Sequence, residues 1–179
     1  DDYAARPLAA AYVGTVSCDR GLYEMLSAVQ GSSKCVRFDL AGDVYPDEEL
    51  ARAKQAKGWS KTFYHGRASR AKVREILDSV RVGLVTLHPS KNAMNAYPTK
   101  LFEYMASGIP VIAADFPIWR NFVEEANCGL LVDPLKPAEI SKALDWVMDH
   151  PDQAAAMGER GRKLVLTKYN WEREAQKLI

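Results

Sequence analysis

The chain has 179 residues, 47% of them hydrophobic, which is enough for one well-buried domain and short for two substantial ones. Its 24 basic and 23 acidic residues leave a formal net charge of +1, so no overall field draws it to nucleic acid or an anionic membrane. Cys18, Cys35 and Cys128 are far apart and none pairs with another Cys or His at metal-ligand spacing, so no metal site is expected and reduced thiols in a cytoplasm are.

No apolar run approaches the roughly 20 residues of a membrane-spanning helix, and the N-terminus lacks a signal-peptide core. DDYAARPLAA leads almost at once into a strand, as expected of a piece of a longer protein. Short β-type runs then alternate with helical patterns. Strands are predicted at Ala10–Gly14, Cys35–Ala41, Lys61–Tyr64, Val82–Thr86, Val111–Ala113 and Gly129–Val132. Leu22, Met25, Leu26 and Val29 recur at helical spacing, as do Val73, Ile76, Leu77 and Val80. After the last strand the pattern is helical over Ala138–Asp149 and Pro151–Lys168, with a short terminal piece near Asn170. The fold class is α/β: an open parallel sheet of about six strands with helices on both faces and extra C-terminal helices. Nothing in the sequence marks a linker, so residues 1–179 read as a single domain.

Ligands of such sheets sit beyond the carboxyl ends of the strands, so the loops there are the candidates. The first, GTVSCDRG, has Gly14 for close backbone approach and brings Arg20 to the next helix start. It has neither the glycine spacing of GxGxxG nor the GK-Ser/Thr of a P-loop, and a plain strand-to-helix turn accounts for it equally. The loop after Tyr64 reads HGRAS, where backbone near Gly66 and Arg67 can read a nucleobase edge and Ser69 can cap the next helix. His65 and His88 form no recognisable triad and receive no role.

The most informative stretch is NAYPTKLFEYMASGIP, Asn95 to Pro110. Pro98 precedes a helical run that Gly108 and Pro110 end. Thr99, Lys100 and Glu103 share its N-terminal turns, so a cation and a carboxylate stand one turn apart beside unsatisfied amides. That arrangement suits a nucleoside diphosphate, with Lys100 on phosphate oxygens and Glu103 on two ribose hydroxyls. An exposed ion pair is the alternative, disfavoured by the long polar loop HPSKNAMNAYPT leading into the helix.

YVGTVSCDRGL, LHPSKNAMNAYPTKLFEYMASGIPVIA, the segment Gly129–Pro134 and KYNWE together resemble the C-terminal, donor-binding domain of glycosyltransferase family 4, the group 1 retaining enzymes of GT-B fold. The resemblance covers nearly the whole chain. It implies a Rossmann-like domain that holds a nucleotide-diphosphate sugar, no obligatory metal or other cofactor, and a separate N-terminal domain for a glycan or lipid-linked acceptor. It implies diphosphate contacts at Gly14, Thr15, Arg20, Thr99 and Lys100, and a ribose contact at Glu103. The base falls at Gly66 and Arg67, and the donor sugar at Asn95, Ala96 and Tyr97. Asn95 stands where the family commonly has a first glutamate, Thr15 where it has an arginine, and Arg20 where it has a lysine. The implied parent is a polysaccharide-biosynthesis transferase, cytoplasmic or peripheral to the inner face of the membrane. Without its acceptor domain the C-terminal helices are expected to carry an apolar face with no partner in this chain, Trp171 and Leu178 included. A nucleotide-sugar epimerase domain and a non-catalytic nucleotide-binding module are the competing readings.

Overall fold

The computed structural model describes residues 2–169. Its sheet has six strands, all parallel, in the order β3-β2-β1-β4-β5-β6. They are β1 (Ala9–Val13), β2 (Arg37–Ala41), β3 (Thr62–Gly66), β4 (Val82–Val85), β5 (Val111–Ala114) and β6 (Gly129–Val132). This is the doubly wound, Rossmann-like arrangement expected.

Both faces of the sheet are covered, which is why β1, β4 and β5 read as continuous apolar runs. Ala10 and Tyr12 of β1 face α1 (Leu22–Gly31) and α7 (Pro137–Asp149), whose buried residues include Met25, Leu26, Ile140 and Leu144. Ala9, Ala11 and Val13 face the opposite layer of α3 (Arg70–Asp78), α5 (Thr99–Ala106) and α6 (Pro117–Ala126). The alternation along one strand thus assigns each helix to its side.

The C-terminus of α1 shows how remote residues finish a local element. Its last carbonyls are orphans that need donors. Lys61 Nζ supplies them, donating to the carbonyls of Val29, Ser32 and Cys35 at 3.0, 3.1 and 3.1 Å. The following amides are held by Asp145 of α7, which accepts from Ser32 Oγ, Ser33 N, Ser33 Oγ and Lys34 N at 2.5 to 3.2 Å. Lys61 is therefore a cap rather than the first strand residue. Likewise β2 starts at Arg37, two residues later than its apolar run suggests.

Two further departures concern helices. The loop after β4 contains α4 (Lys91–Asn95), one turn capped by Ser90, whose side chain accepts from Ala93 N. The sequence also led us to expect C-terminal helices with an apolar face unpartnered in this domain. Instead α7 packs on α1, and α8 (Pro151–Thr167) packs on α5 and α6. The close approach needs a residue without Cβ: at Gly158 one would meet the Gly108 carbonyl oxygen at 2.0 Å. Tyr169 closes the layer against Phe102 and Phe122. The predicted terminal piece from Asn170, with Trp171 and Leu178, lies outside the described residues.

Burial of the Asp145 carboxylate opposes its ionisation, but hydrogen bonds from Ser32, Ser33 and Lys34 outweigh that and hold its pKa below the ordinary value. Since the folded group ionises at lower pH than the unfolded one, its contribution is complete above about pH 4 and is lost as pH falls through the folded pKa. Asp145→Asn should cost about 1–3 kcal/mol at pH 7 and flatten the acid limb of stability. Urea denaturation of both proteins between pH 7 and pH 3 checks it; parallel curves would remove the cap from the stability account.

Candidate functional site

The strand order reverses between β1 and β4, and the crossovers leaving them run on opposite faces, so their carboxyl ends border a crevice. Above the end of β1, between α3 and α5, lies an open groove of about 800 Å³. Gly14, Thr15, Thr99, Lys100 and Glu103 line it. An adjoining recess of about 190 Å³ shares Val13, Gly14, Thr15, Ala68 and Val73 with the groove and adds Gly42, Asp43 and Arg67.

Lys100 occupies the centre. Its amine lies 5.2 Å from the centroid of the Tyr12 ring, a cation–π distance. It also lies directly against Gly14, whose φ is 124°. A Cβ there would meet Lys100 Cε at 2.5 Å and Nζ at 2.7 Å. The missing side chain lets the amine reach the end of β1. Burial, and then the nearby Arg20 guanidinium, hold the Lys100 pKa below its ordinary value; Glu103 acts in the opposite direction. Two cations are thus held together with a single carboxylate between turns of α5 to offset them.

Two tyrosines fix this arrangement from below. The Tyr12 hydroxyl donates to the Thr15 carbonyl at 2.8 Å, and Arg20 reaches the same hydroxyl. Burial pushes the Tyr12 pKa up to about 12, with Arg20 opposing, so the phenol is neutral at physiological pH. Tyr104, fully buried on α5, accepts from Val13 N at 2.9 Å and so ties the helix of Lys100 to the strand of Gly14. Neither residue was singled out in the sequence. The available signal was a tyrosine inside an apolar run, whose hydroxyl must find a partner. Arg70, Arg74 and Arg162 also line the groove and were not anticipated as site residues.

The other predicted residues fall into two groups. Gly66 ends β3 with φ 59° and its carbonyl accepts from Gly42 N at 2.7 Å, beside the recess that Arg67 lines. Asn95, Ala96 and Tyr97 line neither groove nor recess. Asn95 Nδ2 donates to the Lys91 carbonyl within α4, the Ala96 carbonyl accepts from the Trp119 indole, and Tyr97 packs edge-on against Phe122. The histidines are engaged by carboxylates, His65 Nε2 at 2.7 Å from Asp39 and His88 Nε2 at 3.0 Å from Glu24. Among the described residues no cluster of three or more His, Cys, Asp or Glu is placed to hold a metal.

Residues 5–164 match the family model of glycosyl transferases, group 1. The chain belongs to this family. A D-rhamnosyltransferase of Pseudomonas aeruginosa, WbpZ, is 28% identical over 153 residues, covering 82% of this chain and 38% of the relative. Sucrose-phosphate synthase of Thermosynechococcus elongatus superposes with a TM-score of 0.83 at 21% identity, over 98% of this chain and 44% of that one. HepE of Anabaena, solved with UDP-glucose, gives 0.82 at 15% identity over 98% and 49%. The chain therefore spans less than half the length of this relative and of each of these fold neighbours. Among the described residues no helix is long and apolar enough to cross a membrane.

Because the Lys100 amine is half-buried beside a second cation, Lys100→Met should keep or raise the urea midpoint of the ligand-free domain. Tyr104→Phe, which leaves Val13 N without its acceptor, should lower stability by about 1 kcal/mol. Chemical denaturation of the two variants checks both signs; a substantial loss for Lys100→Met would show that Tyr12 and Glu103 stabilise the amine more than burial opposes it.

Proposed function

We propose that this chain is the donor-binding half of a retaining glycosyltransferase that moves a sugar from a nucleotide-diphosphate sugar to a glycan or lipid-linked acceptor. The observation that carries the reading is Lys100, seated between Gly14 and Tyr12 with Arg20 beside it at the open end of β1. Membership of the group 1 family supports transfer over epimerisation, and the UDP-glucose complex of HepE supports a nucleotide sugar as donor. In this reading Lys100, Arg20, Thr99 and the backbone at Gly14 and Thr15 take the diphosphate. Glu103 takes the ribose, Gly66 and Arg67 the base, and the Asn95–Tyr97 segment approaches the sugar.

The chemistry follows from charge development. When the bond from the anomeric carbon to the diphosphate breaks, negative charge grows on the leaving oxygens. Cations already held in place stabilise that charge more than the ground state, and need no reorganisation to do so. The mutual repulsion of Lys100 and Arg20, only partly offset by Glu103 in the free groove, is relieved further by an anion, so the same pair favours donor binding. No obligatory metal is required by this scheme. A preceding domain holds the acceptor, the parent works in the cytoplasm at or near the inner membrane face, and this chain alone binds donor without turnover.

Calorimetry with a nucleoside and its mono- and diphosphate tests the assignment. Lys100→Ala and Arg20→Ala should each weaken the diphosphate about ten- to hundredfold while leaving nucleoside affinity unchanged. Glu103→Gln should weaken ribonucleotides more than their 2′,3′-dideoxy analogues, because a carboxylate accepts from both hydroxyls and an amide from one in the same place. Unchanged diphosphate affinity in both cation variants would return these side chains to an ordinary surface role.

A further inference from the structure

The recess beside Gly14 holds two charged groups that diphosphate and ribose leave unused. Asp43 and Arg67 both line it, and among the described residues neither side chain has a hydrogen bond or ion pair. The apolar part of the lining comes from Val13, Ala41, Ala68 and Val73. The floor is bare backbone. Three neighbouring strands end in left-handed glycines, Gly14, Gly42 and Gly66. They are joined by hydrogen bonds from Gly42 N to the Gly66 carbonyl at 2.7 Å and from Gly14 N to the Ala41 carbonyl at 2.8 Å. A Cβ added at Gly66, beside the recess, would meet nothing within 4 Å.

A flat platform with an apolar wall, a carboxylate and a guanidinium suits a base that shows adjacent donors at one place and acceptors at the next. Guanine has that pattern. Its N1–H and N2–H₂ can both donate to one carboxylate, while O6 and N7 accept from a guanidinium. Adenine, uracil and cytosine each present a donor flanked by an acceptor on their pairing edge, which sets the second carboxylate oxygen against a lone pair. We propose that the donor nucleotide carries guanine, with Asp43 reading N1–H and N2–H₂ and Arg67 reading O6 and N7. This rests on the nucleotide-sugar reading above and adds the base to it.

The test is calorimetric titration of the 179-residue chain with GDP, IDP, UDP, ADP and CDP. GDP should bind about tenfold or more tightly than UDP, ADP or CDP, and IDP, which lacks only the 2-amino group, about tenfold more weakly than GDP. In Asp43→Asn the GDP and IDP affinities should converge, with circular dichroism and the urea midpoint unchanged. Equal binding of UDP, ADP or CDP with GDP overturns the proposal, as does an equal loss for all five diphosphates in Asp43→Asn. Lys100-dependent binding of every diphosphate without preference would leave the donor-binding reading standing and guanine refuted. No binding of any diphosphate would remove both.

Discussion

Backbone-on-backbone contact at the ends of β1 and β2 is the constraint on which the rest of the site depends. Gly42 sits so close to Gly14 that a Cβ on it would fall 1.9 Å from the Gly14 carbonyl oxygen. Both residues have φ values that side-chain-bearing residues avoid. With no side chains in the way, the Lys100 amine can lie on Gly14 from the other side, and the recess keeps a smooth floor. Substitution at either glycine would therefore act on three things together: strand-end geometry, the position of the amine, and the space beside it.

Holding Lys100 there is energetically uphill in the free domain, and the fold shows what counters it. Leu101, Tyr104 and Met105 of α5 are fully buried, so helix position is set by the core and not by the charges it carries. The Tyr104 hydroxyl then locks the helix to Val13 across 91 residues of sequence. Apolar burial is worth roughly 1.5–3 kcal/mol per large side chain, ample to hold a desolvated cation in an unfavourable place. An electrostatically strained amine on a rigid support is what preorganised charge stabilisation requires.

The parallel strands were legible because burial on both faces leaves no place for charged residues: AAAYV, VGLV and VIAA contain none, and their one polar group is the Tyr12 hydroxyl. The placing of Lys100 and Glu103 along one groove was legible because both lie on one short helix. What escaped reading is made by contacts distant in sequence. Lys61 and Asp145 complete the end of α1 from 29 and 113 residues away, and no local pattern announces either. One-turn α4 is too short for any periodicity to appear. Arg70 and Arg74 sit on α3 among Lys72 and Glu75 and read as a solvated face, until the fold turns that face toward the groove. The unpartnered C-terminal face was inferred from a missing neighbour, whereas Gly158 lets α8 approach closely enough to use α5 instead.

The two ends of the sheet treat polar groups differently, and that contrast supports the proposed site independently of any motif. At the amino ends of the strands Arg81 is buried with its guanidinium spent on the carbonyls of Ala4, Arg6 and Met148 at 2.6, 3.0 and 3.2 Å, while Tyr3 donates to the Arg81 carbonyl. These bonds tie the segment before β1 to the end of α7. At the carboxyl ends Asp43, Arg67 and Arg70 have no such partners among the described residues, and Lys100 is held against its own charge preference. Exposed charge alone would be ordinary surface. Charges of both signs around one side-chain-free floor, on a core that fixes their supports, have the contacts to offer that the proposed nucleotide would need.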